Sequence, residues 1–132
     1  MMINLSITGL YLSLLGLLYI VLAVRIIKLR HRFKTGIGDG GHEPLAQAIR
    51  VHGNFSEYTP IAFLLLACAE INGSAPMLLH LVGAAFFIGR VLHSIAITHS
   101  TGPSKFRFLG MMSSFISIII LAIENIRLFI FV

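Results

Sequence analysis

The chain has 132 residues, 57% of them hydrophobic and only 11% charged, with a mean hydropathy of +0.93. A soluble domain carries roughly a quarter charged residues, so this composition excludes a disordered chain and argues for an integral membrane protein. The formal charge of +5 would suggest nucleic acid in a soluble protein; here it reads as membrane topology and anion binding, with no nucleic-acid partner expected.

A membrane-crossing helix needs about 20 residues, so a chain of this length holds four spans with short links, in one domain. The apolar run from Leu5 to Val24 is uncharged and too long for a signal-peptide core, so it is read as a retained first helix, over about 5–30. Arg25, Lys28, Arg30, Arg32 and Lys34 follow it as a basic cluster at the membrane surface. The glycine-rich stretch Thr35 to Gly41 is a loop. No Gly-Lys-Ser/Thr follows it, which sets aside a phosphate-cradling reading.

The second helix is predicted over about 44–71, opening on Pro44. Only Tyr58 to Ala69 is free of formal charge, so this helix must carry Arg50, His52, Asn54 and Glu57 at or below the membrane surface. Cys68, the sole cysteine, sits in an apolar run and is expected to be a small buried hydrophobe. Asn72 to Pro76 forms a turn. The third helix, about 76–98, carries Arg90 and His93. A polar link with Gly102-Pro103 leads to the fourth helix, about 105–131, which begins near Arg107. Its Met111-Met112 pair and phenylalanines read as lipid-facing or core filler, and Glu124 with Arg127 as a local ion pair.

Basic residues concentrate in the first and third links, whereas the second has only Glu70 beside it. The positive-inside rule therefore puts both basic links in the cytoplasm and both termini on the far side.

Ionisable groups within a span face the bundle interior or a wet cavity. At about 100° per residue, Arg50, Asn54 and Glu57 share a narrow stripe of the second helix. Arg90 and His93, three apart, share a face of the third. Arg107 enters at the same level. Each single residue is open to a structural reading, an interhelical Arg–Glu lock with Asn54 on a neighbouring backbone. Taken together, three arginines share one nearby acid, Glu57, and a bound anion would balance them. Arginine suits bidentate recognition of a carboxylate. No metal site can be assembled around a lone cysteine.

The run Leu45-Ala46-Gln47-Ala48-Ile49-Arg50-Val51-His52-Gly53-Asn54-Phe55-Ser56-Glu57-Tyr58-Thr59-Pro60 resembles the helix-2 signature of the MAPEG family, the membrane-associated proteins in eicosanoid and glutathione metabolism. Gly38-Asp39-Gly40-Gly41 is similar to the bacterial branch, including small inner-membrane proteins of enterobacteria. Gly89-Arg90-Val91-Leu92-His93 resembles the helix-3 motif, and Arg107 with Gly110 the helix-4 arginine. The resemblance implies an all-α integral membrane protein, a four-transmembrane-helix protomer assembling as a homotrimer in a bacterial inner membrane. It implies glutathione bound between subunits near the cytoplasmic face, by Arg30 (with Arg32 as the alternative), Arg50, Asn54, Glu57, Arg90 and His93. It makes Arg107 the catalytic residue, stabilising the thiolate. The implied function is a glutathione transferase or peroxidase acting on lipophilic small molecules that arrive through membrane lipid. Ile97 stands where many members have a tyrosine, and Gly53 where some have a further arginine. Two alternatives stay open: a non-catalytic member, and a small proton-coupled exporter, against which the acid-free first helix counts.

Overall fold

A computed structural model describes residues 4–99 and 102–131. Four helices run in chain order: α1 (Ser6–Phe33), α2 (Glu43–Ile71), α3 (Pro76–His99) and α4 (Lys105–Phe131). These match the predicted spans closely, with no strand among the described residues. The main difference is that α1 runs on through its basic cluster to Phe33. Arg30, His31 and Arg32 occupy its last turn, where the helix dipole favours cations. Lys34, at φ 50°, ends the helix in the left-handed conformation. The Arg30 guanidinium then donates to the carbonyls of Thr35 at 3.3 Å and Gly38 at 2.9 Å, folding the glycine loop back on the helix end. Ser100 and Thr101 of the third link lie outside the described residues.

The helices alternate in direction. At one end the start of α1 meets the end of α2; at the other, Gln47 of α2 donates to the Ile97 carbonyl of α3 and Arg25 of α1 donates to Thr98. Both α2 and α3 pack on all three other helices, while α1 and α4 lie on opposite flanks without touching among the described residues. The core is an apolar column including Leu15, Val51, Phe55, Leu66, Leu79, Phe86 and Leu121. Leucine, isoleucine, valine and phenylalanine side chains cover much of the outside, among them Leu17, Val21, Leu64, Ile119 and Phe129. This is the inverse of a soluble surface, and it is the fold of a four-helix membrane bundle.

Helices α1, α3 and α4 are each long and apolar enough to cross a bilayer. Helix α2 is as long, with 29 residues, or about 43 Å at 1.5 Å per residue. Its polar stretch from Gln47 to Glu57 makes it unfit to face lipid on all sides, and its position against all three other helices shields part of that stretch. Cys68 departs from expectation. It is exposed, because it follows Leu66 and precedes Ala69 on the helix turn, and those two residues take the inward positions.

Small residues let α3 and α4 approach closely. A Cβ added at Gly110 would lie 2.6 Å from the Gly89 carbonyl oxygen and 2.8 Å from the His93 Cβ. Ser113 donates to the Ala85 carbonyl at 2.7 Å, and Ser114 and Ser117 are buried in the same seam. On the opposite side of α3, Gly83 leaves room for the Tyr11 ring, whose carbons would lie within 2.9 Å of an added Cβ.

The ends are tied by polar contacts. Leu5 offers no side-chain acceptor to the first turn of α1. Glu70, at the end of α2, supplies one: its carboxylate accepts from the Ile7 N–H at 2.9 Å and the Thr8 N–H at 2.7 Å. A carboxylate at a helix N-terminus satisfies orphan donors and complements the dipole. Glu70→Ala is therefore expected to cost about 0.5–2 kcal/mol, read as a lowered melting temperature in detergent; an unchanged melt would remove Glu70 from this role. At the same end Glu124 holds Arg127 through two contacts of 2.8 Å, the predicted ion pair. It also accepts from Ser74 at 2.7 Å, which fastens the α2–α3 turn to α4.

Candidate functional site

The stripe of polar residues on α2 divides between two environments. Asn54 is turned inward and buried. Arg50 and Glu57 instead face out of the protomer, forming a 3.4 Å ion pair whose side chains are 64% and 55% exposed. Of the two places expected for polar groups in a span, the bundle interior takes Asn54, and Arg50 and Glu57 lie outside it within a single chain. The reason is geometric. Asn54 lies about 40–60° around the helix from the other two, at 100° per residue, and the edge of the α2 contact surface passes between them.

Arg90 is fully buried. One guanidinium nitrogen donates to Asn54 Oδ1 of α2 and contacts His93 Nδ1 at 3.1 Å. The other donates to Ser114 Oγ of α4 at 3.2 Å and touches Met111 Sδ at 3.9 Å. The Tyr58 ring lies 5.7 Å from the guanidinium carbon, within range of a cation–π contact. One side chain thereby joins α2, α3 and α4. Among the described residues no carboxylate lies within 4 Å of it, and its Nε has no partner. A buried cation without a counterion is costly, and the contacts to Asn54, His93 and Ser114 offset part of that cost.

His93 is also buried. Since its Nδ1 faces a guanidinium, which can only donate, that nitrogen is the acceptor and the ring hydrogen sits on Nε2. Arg50 lies one turn before Asn54 on α2, and Arg107 lies one turn before Gly110 on α4, whose added Cβ would meet His93 at 2.8 Å. Arg107 is half-buried in the first turn of α4. With Met111, Pro103, Ser104 and Phe108 it lines an open hollow of about 500 Å³, in the size range of small-molecule sites. Met111 joins that hollow to the Arg90 cluster.

Other predicted residues stand apart. The Arg30 guanidinium is engaged with the loop carbonyls, and Arg32 is exposed, 5.6 Å from the Phe33 ring. His52 is half-buried between α1 and α2, with its ring 4.7 Å from that of Tyr19. Ile97 is buried in the core. Sequence reasoning missed Ser114, Met111 and Tyr58 as supports of Arg90. The repeat of small residues at Gly110, Ser114 and Ser117 could have revealed the α4 seam; nothing local distinguishes Met111 or Tyr58.

The model of the MAPEG family matches residues 8–127. The chain is 31% identical over 120 residues to the Inner membrane protein YecN of Escherichia coli strain K12, covering 91% of this chain and 90% of that protein. The same protein from Escherichia coli O6:H1 matches equally well. The match takes in all three stretches that carry the site, the middle of α2, the second half of α3 and the start of α4, and on this evidence the chain belongs to the MAPEG family.

Proposed function

We propose that this protein is a glutathione-binding inner-membrane enzyme that works as a homotrimer, with the peptide held between copies. The observation that carries the reading is the Arg50–Glu57 pair. It faces out of the protomer from a helix in the middle of a membrane bundle, and ionisable groups at such a place are covered by protein, ligand or a water-filled cavity rather than by lipid. A neighbouring copy and a polar ligand would cover it. Glutathione has two carboxylates, one ammonium and one thiol. The cations Arg50 and Arg107 suit a carboxylate and the thiolate, and Glu57 suits the ammonium, while the fully buried Arg90 supports the site from behind. Asn54 and His93 are held in place by Arg90.

In the reaction, the thiol proton passes to water and the resulting thiolate attacks the electrophilic carbon. A carbon–sulfur bond forms as the leaving group departs. Arg107 acts on the sulfur: a free thiol has a pKa of about 8.5, and a nearby cation lowers it. A lipophilic electrophile would reach the Arg107–Met111 hollow from the membrane.

The test of binding is calorimetry on the detergent-solubilised protein. Glutathione is expected to bind with a micromolar-to-millimolar Kd, and Glu57→Gln and Arg50→Ala to weaken it by about tenfold each, the loss of one charge-assisted contact of about 1.5 kcal/mol. Because both side chains are exposed in the protomer, neither change is expected to unfold it. No heat at 10 mM glutathione, a concentration on the order of 100 times a mid-range Kd, would overturn the reading.

The test of chemistry is Arg107→Ala. It should keep most of the glutathione affinity but lose thiolate ultraviolet absorbance, by roughly one to two decades in thiolate population at 1.36 kcal/mol per pKa unit, together with conjugation of an aryl halide. A second reading, a non-catalytic binder, is favoured by the burial of aliphatic Ile97 in the core, which brings no hydroxyl to the site. Wild-type protein that binds glutathione without a thiolate signal would decide for it.

A further inference from the structure

The outward face of α1 carries a second feature that the glutathione reading does not use. Leu10, Leu14, Leu17, Val21 and Val24 recur at alternating steps of four and three residues, and all are exposed. The same stripe continues at Lys28 and Arg32, both exposed. Arg30 lies roughly 160° around the helix from either cation, at 100° per residue, so this face is distinct from the one carrying Arg30. Beside the stripe, Ile20, Val21, Val24, Arg25, Lys28 and Leu29 line an open hollow of about 550 Å³. Its floor is apolar, and its cations stand at one end.

Among the described residues no carboxylate lies within 4 Å of Lys28 or Arg32; Arg32 has only the Phe33 ring at 5.6 Å. Arg25 is turned away to Thr98, which leaves Lys28 and Arg32 as the open charges. A second copy of the chain has little to offer them. Its Glu57 is paired with Arg50, its Glu70 caps α1, its Glu124 holds Arg127 and Ser74, its Asp39 accepts from the Gly41 N–H within the glycine loop, and its Glu43 stands in the first turn of α2, where the helix dipole favours a carboxylate.

We infer that this face binds an anionic phospholipid, with the phosphate on Lys28 and Arg32 and an acyl chain along the hollow toward Leu17. An apolar stripe one helix face wide, ending in two free cations at the level where a span leaves the hydrocarbon, has the chemistry of an acyl chain joined to a phosphate. Cations just outside a span recognise acidic headgroups in this way.

The test is native mass spectrometry of the full chain, purified in detergent and offered equal amounts of phosphatidylglycerol and phosphatidylcholine. Wild type is expected to retain phosphatidylglycerol about tenfold over phosphatidylcholine, the scale of one to two cations at a membrane surface. The double variant Lys28→Gln/Arg32→Gln should retain both about equally while keeping its oligomeric mass and melting temperature. Equal retention by wild type, or an undiminished preference in the double variant, would overturn the proposal. So would displacement of the lipid by excess inorganic phosphate, which would mark a site for the phosphate alone. Loss of the oligomer in the double variant would assign the face to a contact between copies instead. Glutathione binding unaffected by Lys28→Gln alone would separate this site from the proposed active site.

Discussion

Replacing Arg90 by alanine is expected to lower stability by about 3–5 kcal/mol, making it one of the two most damaging single changes in the chain. The side chain is fully buried, so its removal leaves a cavity, and large-to-alanine changes in cores cost about 2–5 kcal/mol. It also strips partners from Asn54, His93 and Ser114, and a buried polar group left unpaired costs about 1–3 kcal/mol. Arg90→Lys should fail as well, because a single ammonium cannot reproduce the fork that reaches Asn54 on one side and Ser114 on the other. Arg90→Met fills the volume without the hydrogen bonds. Its stability relative to Arg90→Ala apportions the loss between packing and polar contacts. A thermal melt of Arg90→Ala indistinguishable from wild type would refute the joining role of this residue.

Gly110→Val is the second. The added Cβ would stand 2.6 Å from a backbone oxygen of α3 and 2.9 Å from the His93 nitrogen. Backbone cannot rotate away as a side chain can, so the helices must separate. Overpacking of this kind costs about 1–3 kcal/mol and more where the backbone must move. Separation would also draw Ser114 away from Arg90 and shift Arg107 relative to His93, so glutathione binding should fall with stability. Gly9→Val is a control on the membrane-facing side, where nothing lies within 4 Å of an added Cβ; it is expected to melt within about 1 kcal/mol of wild type, the scale of ordinary helix propensity differences. Equal melts for the two variants would contradict the close crossing of α3 and α4.

Much of this arrangement is legible in the sequence because the membrane makes polar residues conspicuous. Four spans follow from apolar run length, and the three cations and Asn54 stand out as polar groups at one depth. The partition of the α2 stripe is not legible. Periodicity separates Asn54 from Arg50 and Glu57 by only about 40–60°, and the packing of α2 against its neighbours decides that Asn54 turns in while the other two turn out. Arg90 looked like one more site cation. Its burial and its contact with Ser114 depend on the close approach at Gly89 and Gly110, a tertiary fact that local pattern does not encode. Glu70 is similar: it is a lone acid beside a turn until the start of α1 is brought against it. Cys68 is exposed where a buried hydrophobe is expected, because an apolar run in a membrane helix has no buried side by default.

The most direct measurement of the central claim is the structure of the assembled protein in lipid with glutathione at saturating concentration. The account predicts peptide density between two copies, with a carboxylate on Arg50, the amino group at Glu57 and the sulfur within about 4 Å of Arg107, as a charge-assisted contact requires. An Arg50–Glu57 face that is covered by protein alone, with no peptide beside it, would contradict the account.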